Sequence, residues 1–479
     1  MAGLRRAVVS MRRMAEPLTR SEFVALAGIA GVASLRSPFA AIRTPQDAEF
    51  LVLPGSKRYE ALRTRYNATI DRRPAAIAPC SEVSHVVRAV RYATANKLPI
   101  AIKSGGHSFE GFSTNDQGLV VDLSAMNRVR WLDKQRIAVE PGCTLSTLND
   151  ELLPKGRLLP AGSCGSVGIA GLTLGGGYGF FSREFGLTCD SLEALTLVDA
   201  EGRVRSSKDD DELLWACRGG GNGSFGVVTE LVFRTHKAPP LITRHRFRAR
   251  DLDAARALRL LQLWFAETAK LPDNHFSAFV LNHDTLVVLL FGSGDGGEAV
   301  ARFVQTMGSN CDETQTGKPQ PIATALRAHY GQKGPVPFKN ASAGLYRNFT
   351  DLRAAAPEVI AMVLGQQGMI FQVNTLGGEV LNAAAAGASA YPHRELPYLG
   401  ELQAYWEQPA QKQRLLAAFP KVQNVLRKHG VTAHYANYPD LAFTDWARAY
   451  YGDSYERLRT VKRRYDPQNH FQHPQSIQA

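Results

Sequence analysis

Only six cysteines are spread through the 479 residues, and no two of them form a CxxC pair. That excludes a disulfide framework and a cysteine-based zinc site. After the leader, no apolar run approaches the ~20 residues that a membrane-crossing helix needs. HExxH, the phosphate-loop lysine motif and GxSxG are absent, which removes the zinc-peptidase, P-loop and serine-hydrolase readings. No internal repeat or low-complexity tract is present. The net charge is +12, but residues 1–45 hold seven arginines against two glutamates. The remaining surplus is thinly spread, with no Lys/Arg block interleaved with aromatics, so no nucleic-acid footprint is expected.

What is present is ordinary globular material, 44% hydrophobic and 21% charged. A single core stops growing near ~250–300 residues, so two packed units are expected. The first 45 residues read as a leader. Arg12-Arg13, Thr19-Arg20-Ser21-Glu22-Phe23 and the apolar run to Leu35 follow the basic–apolar–small order of an export signal. The second element resembles a twin-arginine motif with Ser21 in place of an arginine. Export is the expectation, with a cytoplasmic protein carrying an apolar N-terminal helix as the alternative.

Beyond the leader, Val83, Val86, Val87, Val90 and Ala93 recur at helical spacing, with Ser81 placed to cap that helix. Short strands are predicted at 99–102, 119–123 and 137–139. Thr144 caps a helix carrying Leu145, Leu148 and Leu152, and 194–198 turns through Asp199–Gly202 into a hairpin with Val204. Pro239-Pro240 marks a boundary. After it, strands near 275–291 and 360–376 alternate with amphipathic helices near 253–267, 298–306 and 411–429. The last forty residues return to a dense, aromatic-rich pattern.

Three glycine clusters stand out: Gly105-Gly106, Gly175-Gly176-Gly177-Tyr178-Gly179 and Gly219-Gly220-Gly221-Asn222-Gly223. Backbone without a Cβ can approach a ligand closely and aim N–H groups at phosphate oxygens, although each cluster alone could be a turn. Three beside buried strands point to a large phosphate-bearing cofactor. The GxGxxG at Gly221–Gly226 runs into a strand, where a dinucleotide fingerprint needs a helix. The one at Gly292–Gly297 has the right context, but Asp295 and Glu298 would repel a pyrophosphate, so it reads as a strand-to-helix connection.

Lys103-Ser104-Gly105-Gly106-His107-Ser108, with Gly111 and Ser113, resembles the flavin-histidine motif of the berberine bridge enzyme-like oxidases. These belong to the larger vanillyl alcohol oxidase/p-cresol methylhydroxylase (PCMH) flavoprotein family. Ala161-Gly162-Ser163-Cys164-Gly165-Ser166-Val167-Gly168, then Gly171, is similar to that family's flavin-cysteine motif. Leu214-Trp215-Ala216-Cys217-Arg218 and the C-terminal Tyr435-Ala436-Asn437-Tyr438-Pro439-Asp440, Tyr450-Tyr451-Gly452 and Tyr465-Asp466-Pro467 continue the likeness, which covers nearly everything after residue 60.

The resemblance implies an α+β protein. A PCMH-type FAD-binding domain spans 50–240, and a substrate domain over 241–439 has an antiparallel sheet covered by helices. The 440–479 segment returns to the first domain. It implies FAD attached twice, through His107 to the 8α-methyl group and through Cys164 to ring carbon C6. An imidazole and a thiolate are side chains able to add to an electron-poor ring. Lys103, Ser104, Gly105, Gly106, Ser108, Gly168, Gly171, Val228, Asn437 and Tyr455 follow as cofactor contacts. The other five cysteines read as buried and inert.

The implied chemistry is oxidation of an alcohol or sugar-like hydroxylated small molecule, with electrons passed to O2. Tyr435 and Tyr178 match the family's base positions, and Val167 its oxygen-access position. Phe109, Gln372 and Asn374 are the substrate contacts. Phe109 stands where sugar-oxidising relatives often carry tyrosine, which weakens the argument for a carbohydrate. No acidic residue is evident at the base position expected of alkaloid-cyclising relatives. The alternatives are a natural-product tailoring oxidase, a flavin-binding protein without turnover, and a nicotinamide dehydrogenase built on Gly292–Gly297.

Overall fold

In the first sheet, the strand Leu119–Asp122 lies between Ala76–Pro79 and Ile100–Lys103 and is parallel to both. Strands that run the same way need a crossover, and the helix Val83–Ala95 supplies the one between the two outer strands, burying Val86, Ala89, Val90 and Ala93. The computed structural model describes residues 49–332 and 334–479, so the leader reading lies outside the described residues. The helix start differs from expectation. Glu82, not Ser81, is the N-cap and makes no side-chain cap bond, because the Ser81 hydroxyl is taken by His85 Nδ1 at 3.3 Å. The Thr144 cap on Leu145–Leu152 forms, its side chain accepting from the Thr147 N–H.

A second sheet, five-stranded and antiparallel, runs Val129–Trp131, Arg136–Val139, Val227–Arg234, Leu192–Val198, Val204–Ser206. Its last two strands are the predicted hairpin. The Gly221–Gly226 segment does lead into a strand, and Gly292–Gly297 does join a strand, Thr285–Gly292, to a helix, Gly297–Asn310.

The third sheet is larger and antiparallel. In order across it lie Glu313–Thr316, Leu241–Ala249, Thr285–Gly292, His275–Asn282, Met369–Thr375, Tyr398–Tyr405 and Phe338–Tyr346, with Gln320–Pro321 pairing at one end of the second of these. Side chains alternate between faces along each strand. Phe247, Phe279, Val288, Phe371 and Leu402 point to a core built with the helices Ala254–Thr268, Gly297–Asn310, Ala356–Leu364 and Pro409–Lys428. The opposite face lines a cavity.

One predicted boundary moves, and two strands are new. The strand expected near 360–376 starts only at Met369, after the turn at Gly365–Gly368, because residues 356–364 form a helix that buries Val359, Ile360 and Val363. The strands Phe338–Tyr346 and Tyr398–Tyr405 went unpredicted, because both are buried on nearly every residue and show no alternation of polarity.

The C-terminal helix Ser454–Tyr465 packs Leu458, Val461 and Tyr465 against Leu195, Trp215 and Leu231 of the five-stranded sheet region. Beyond it, Ile100 N–H bonds the His470 carbonyl at 3.1 Å. Lys462 fixes this return. Fully buried, its ammonium donates to Asp466 at 2.7 Å and to the carbonyls of Ser224 and Phe471 at 2.8 and 2.7 Å. Among the described residues, no helix is long and apolar enough to cross a membrane.

Candidate active site

A cavity of about 1140 Å³ lies between the glycine-bearing loops and the free face of the large sheet. That exceeds the ~300–1,000 Å³ of a small-ligand pocket and leaves room for a dinucleotide cofactor with a substrate.

The two motif loops meet backbone to backbone. A Cβ on Gly105 would run into the Gly168 backbone nitrogen, and one on Gly168 would meet Ser104 Oγ. This close approach brings His107 and Cys164 to the same wall. His107 Nε2 lies 3.0 Å from Ser166 Oγ, and Cys164 Sγ lies 3.7 Å from that same oxygen. Tyr66 stacks on the His107 ring at 4.0 Å. Burial pushes the His107 imidazole down to about 4, so the ring is neutral at ordinary pH and keeps a lone pair. Burial also pushes the thiols of Cys80 and Cys143 up to about 12 and that of Cys311 to about 11, and raises Cys189 and Cys217 further. Those five stay protonated and inert.

The other predicted cofactor contacts divide. Ser104, Gly105, Gly106, Ser108, Gly168, Gly171, Val228 and Asn437 line the cavity, as does Val167. Lys103 does not, because its ammonium turns away to Asp122 at 2.9 Å. Tyr455 does not either. It stacks on Tyr451 and meets Trp446 edge-on, in the packing of the C-terminal helices.

The glycine clusters also serve differently from expectation. Gly175 makes room for the Asn437 amide, while Gly219 and Gly220 admit Tyr391 and Leu458. Most of these glycines allow close packing within the chain, and only Gly105, Gly106, Gly179 and Gly223 among the clusters reach the cavity.

On the sheet wall, a chain of hydrogen bonds runs across neighbouring strands. Gln403 Nε2 donates to Gln372 Oε1 at 3.1 Å, Gln372 Nε2 to Asn374 Oδ1 at 2.8 Å, and Asn374 Nδ2 to the Tyr178 hydroxyl at 3.2 Å. Tyr178 and Tyr438 share a hydroxyl–hydroxyl bond of 2.7 Å. Tyr435, 2% exposed, accepts from Gly177 N–H and Asn437 Nδ2, each at 2.9 Å. Phe109 stacks on Tyr438, with ring centroids 5.1 Å apart. The predicted Tyr178, Tyr435, Phe109, Gln372 and Asn374 therefore share one cavity.

Glu401 is the residue that sequence reading missed. It pairs with Gln372 across the strands and lines the cavity at only 5% exposure, so the cavity holds an acid that no motif in the sequence pointed to. The one signal was a carboxylate within the apolar run Tyr398–Tyr405. Burial pushes its carboxyl up to about 8. Tyr178 and Tyr438 are raised far above the ordinary phenol value, by burial first and then by the nearby Glu401 charge, and burial also raises Tyr435. All three phenols are neutral at any ordinary pH.

The cavity fits FAD. The loop wall presents glycine backbone, a neutral imidazole and a thiol, and among the described residues it carries no carboxylate to repel a diphosphate; Glu401 stands on the opposite wall.

Comparison with known proteins agrees. Residues 74–208 match the FAD binding domain family, and 434–478 match the family described as berberine and berberine like. An uncharacterised FAD-linked oxidoreductase of Bacillus subtilis, YgaK, is 30% identical over 433 residues, covering 88% of this chain and 94% of the relative. The aclacinomycin-N/aclacinomycin-A oxidase of Streptomyces galilaeus is 31% identical, covering 88% of each. A solved chitooligosaccharide oxidase superposes with a TM-score of 0.81 at 25% identity, over 90% of this chain and 98% of that one. With the two motif loops, the covering sheet and the returning C-terminal segment all in place, the chain belongs to the berberine bridge enzyme-like family of FAD-linked oxidoreductases.

Proposed function

We propose that this enzyme oxidises a hydroxylated carbon of a sugar or natural product, with FAD tethered to both His107 and Cys164 and O2 as the final acceptor. The observation that carries the reading is the shared cavity. The neutral His107 imidazole and the Cys164 side chain on one wall face a polar network ending in Glu401 on the other. Bound FAD supplies the two-electron acceptor, and O2 takes the electrons on as hydrogen peroxide.

The chain's own part is to bind the hydroxyl and remove its proton. Tyr435 is a poor acceptor, since its oxygen already takes two hydrogen bonds and its own O–H is left to donate. The Tyr178–Tyr438 pair, held neutral by burial, orients the substrate oxygen together with Asn374. Glu401 is the group with a usable proton affinity, and its carboxylate accepts the substrate proton. Val167, on the loop wall, shapes the approach of oxygen.

Aclacinomycin is a natural product and chitooligosaccharide a sugar, and the relatives named for them span both substrate classes. The apolar side chains of Phe276, Val287 and Leu289 on the sheet wall, with Phe109 opposite, favour the natural-product side. Intact mass of the denatured chain tests the tethers. The wild type should carry the mass of FAD, and His107→Ala and Cys164→Ala should each retain it through the remaining bond. The double variant should lose it. Peroxide release on a panel of alcohols, sugars and aromatic natural products tests the oxidation. A chain carrying only its amino-acid mass after refolding with FAD would refute the attachment.

A further inference from the structure

The sheet face that walls the cavity changes character from one edge to the other. Arg246, Leu289, Ala278 and Asn374 form one row of cross-strand neighbours over four adjacent strands. At ~4.8 Å per strand, the ends of this row are roughly 14 Å apart. The Asn374 end carries Gln372, Glu401 and the tyrosines. The middle, with Val280 and Val287 beside Leu289 and Ala278, is apolar. The far end holds Arg244, Arg246 and Lys318, none of which is ion-paired among the described residues, and the only carboxylate that those residues place in the cavity lining is Glu401 at the opposite end.

Arg244 is set up to receive something. One of its Nη groups donates to His329 Nε2 at 3.1 Å, which fixes the guanidinium plane. Burial and the Arg244 charge push His329 down to about 4, so this ring is a neutral acceptor and brings no counter-charge. The Arg244 Nε–H is buried and has no hydrogen-bond partner among the described residues. A buried donor left unpaired is costly, and a bound anion would satisfy it. Arg246 and Lys318 are exposed at the mouth, where they would draw such an anion in. Both arginines stand on the sheet wall, across the cavity from the loops of Gly105 and Gly168.

We infer that the substrate is an amphiphilic acid. Its hydroxylated carbon lies at Asn374, Gln372 and Glu401, its apolar body crosses Leu289 and Ala278, and a carboxylate or sulfate ester is held by Arg244 and Arg246. The inference rests on the proposed oxidation for the placement of the reacting end.

The test uses the full-length holoenzyme with ω-hydroxydodecanoate, the matching sulfate ester and the neutral ω-hydroxydodecanamide. Dissociation constants are read from perturbation of the bound flavin spectrum, which needs no turnover. The acid or the ester should bind roughly ten- to thirty-fold tighter than the amide, a value kept modest by the exposure of Arg246. The preference should shrink with added salt. Arg244→Gln with Arg246→Gln should abolish the preference and leave amide binding within about two-fold. Lys318→Gln, at an exposed position, should weaken the preference by a smaller factor if the double variant fails to fold. Whichever anion gains the tighter constant identifies the headgroup. Equal binding of charged and neutral compounds, an unchanged preference in the variants, or no spectral response to any of the three would overturn the inference. Selective anion binding without peroxide release would instead refute the proposed oxidation and leave this site standing.

Discussion

Replacing Glu401 with Gln separates a chemical role from a structural one, because the two roles move different quantities in different directions. The folded carboxyl titrates near 8 and an unfolded glutamate near 4.5. Between those values the unfolded chain releases its proton while the folded protein keeps it. Stability contributed by this group is therefore fully present below pH ~4.5, falls as pH rises to about 8, and is flat above that. The whole span is worth on the order of 5 kcal/mol. Gln fills the same space and cannot ionise, so Glu401→Gln should be the more stable protein at pH ~9, with near parity at pH ~5, in thermal or urea unfolding. Its turnover should fall roughly a hundred- to ten-thousand-fold, the usual contribution of a positioned base. The wild-type rate should rise through pH ~8 as the carboxylate forms, and the variant's profile should lose that limb. Flavin content should not change. A variant that keeps kcat within a few-fold, or a wild-type profile without an inflection near that pH, would refute the assignment of Glu401 as proton acceptor.

Gly168→Ala forces a Cβ into Ser104 Oγ and the Gly105 backbone, so the two motif loops must part; the ratio of flavin to protein absorbance in the purified protein should drop by at least half, roughly. Tyr435→Phe leaves the Gly177 N–H without its acceptor and the Asn437 amide with the Leu172 carbonyl alone, and denaturant unfolding should show a loss of roughly 1–3 kcal/mol together with slower turnover. Lys462→Met removes the cation from the fully buried Asp466 carboxylate, which keeps only the backbone N–H groups of His470 and Phe471, and should cost roughly 3–5 kcal/mol in denaturant unfolding. If the single Lys462 variant unfolds like the wild type, the ammonium does not anchor the C-terminal return.

The parts of the fold legible in sequence were those where one face is wet or a cap is local. Val86, Val90 and Ala93 mark a stripe because the rest of that helix faces water, and Thr144 caps within three residues of itself. Phe338–Tyr346 and Tyr398–Tyr405 offered no such contrast. Each is covered by helices on one side and faces the cavity on the other, so polar and apolar residues are buried alike. The helix Ala356–Leu364 misled for the same reason, since its stretch Val359–Leu364 is apolar throughout and carries no period that separates helix from strand.

The site divides along a similar line. Residues contributed by a contiguous loop, His107 and Cys164 above all, stand out in sequence because their motifs pack against each other through glycine backbone and tolerate little else. Residues contributed by sheet register do not stand out. Arg246 and Asn374 lie 128 positions apart in the chain yet occupy one cross-strand row, and Glu401 faces Gln372 only because two strands pair antiparallel at that offset. The loops that hold the cofactor are local and therefore readable, whereas the wall that chooses the substrate is a product of pairing. Substitutions that leave register untouched can exchange the side chains of one row independently of the flavin motifs. Arg246→Leu, for instance, should change which compounds bind while the flavin remains bound to the protein.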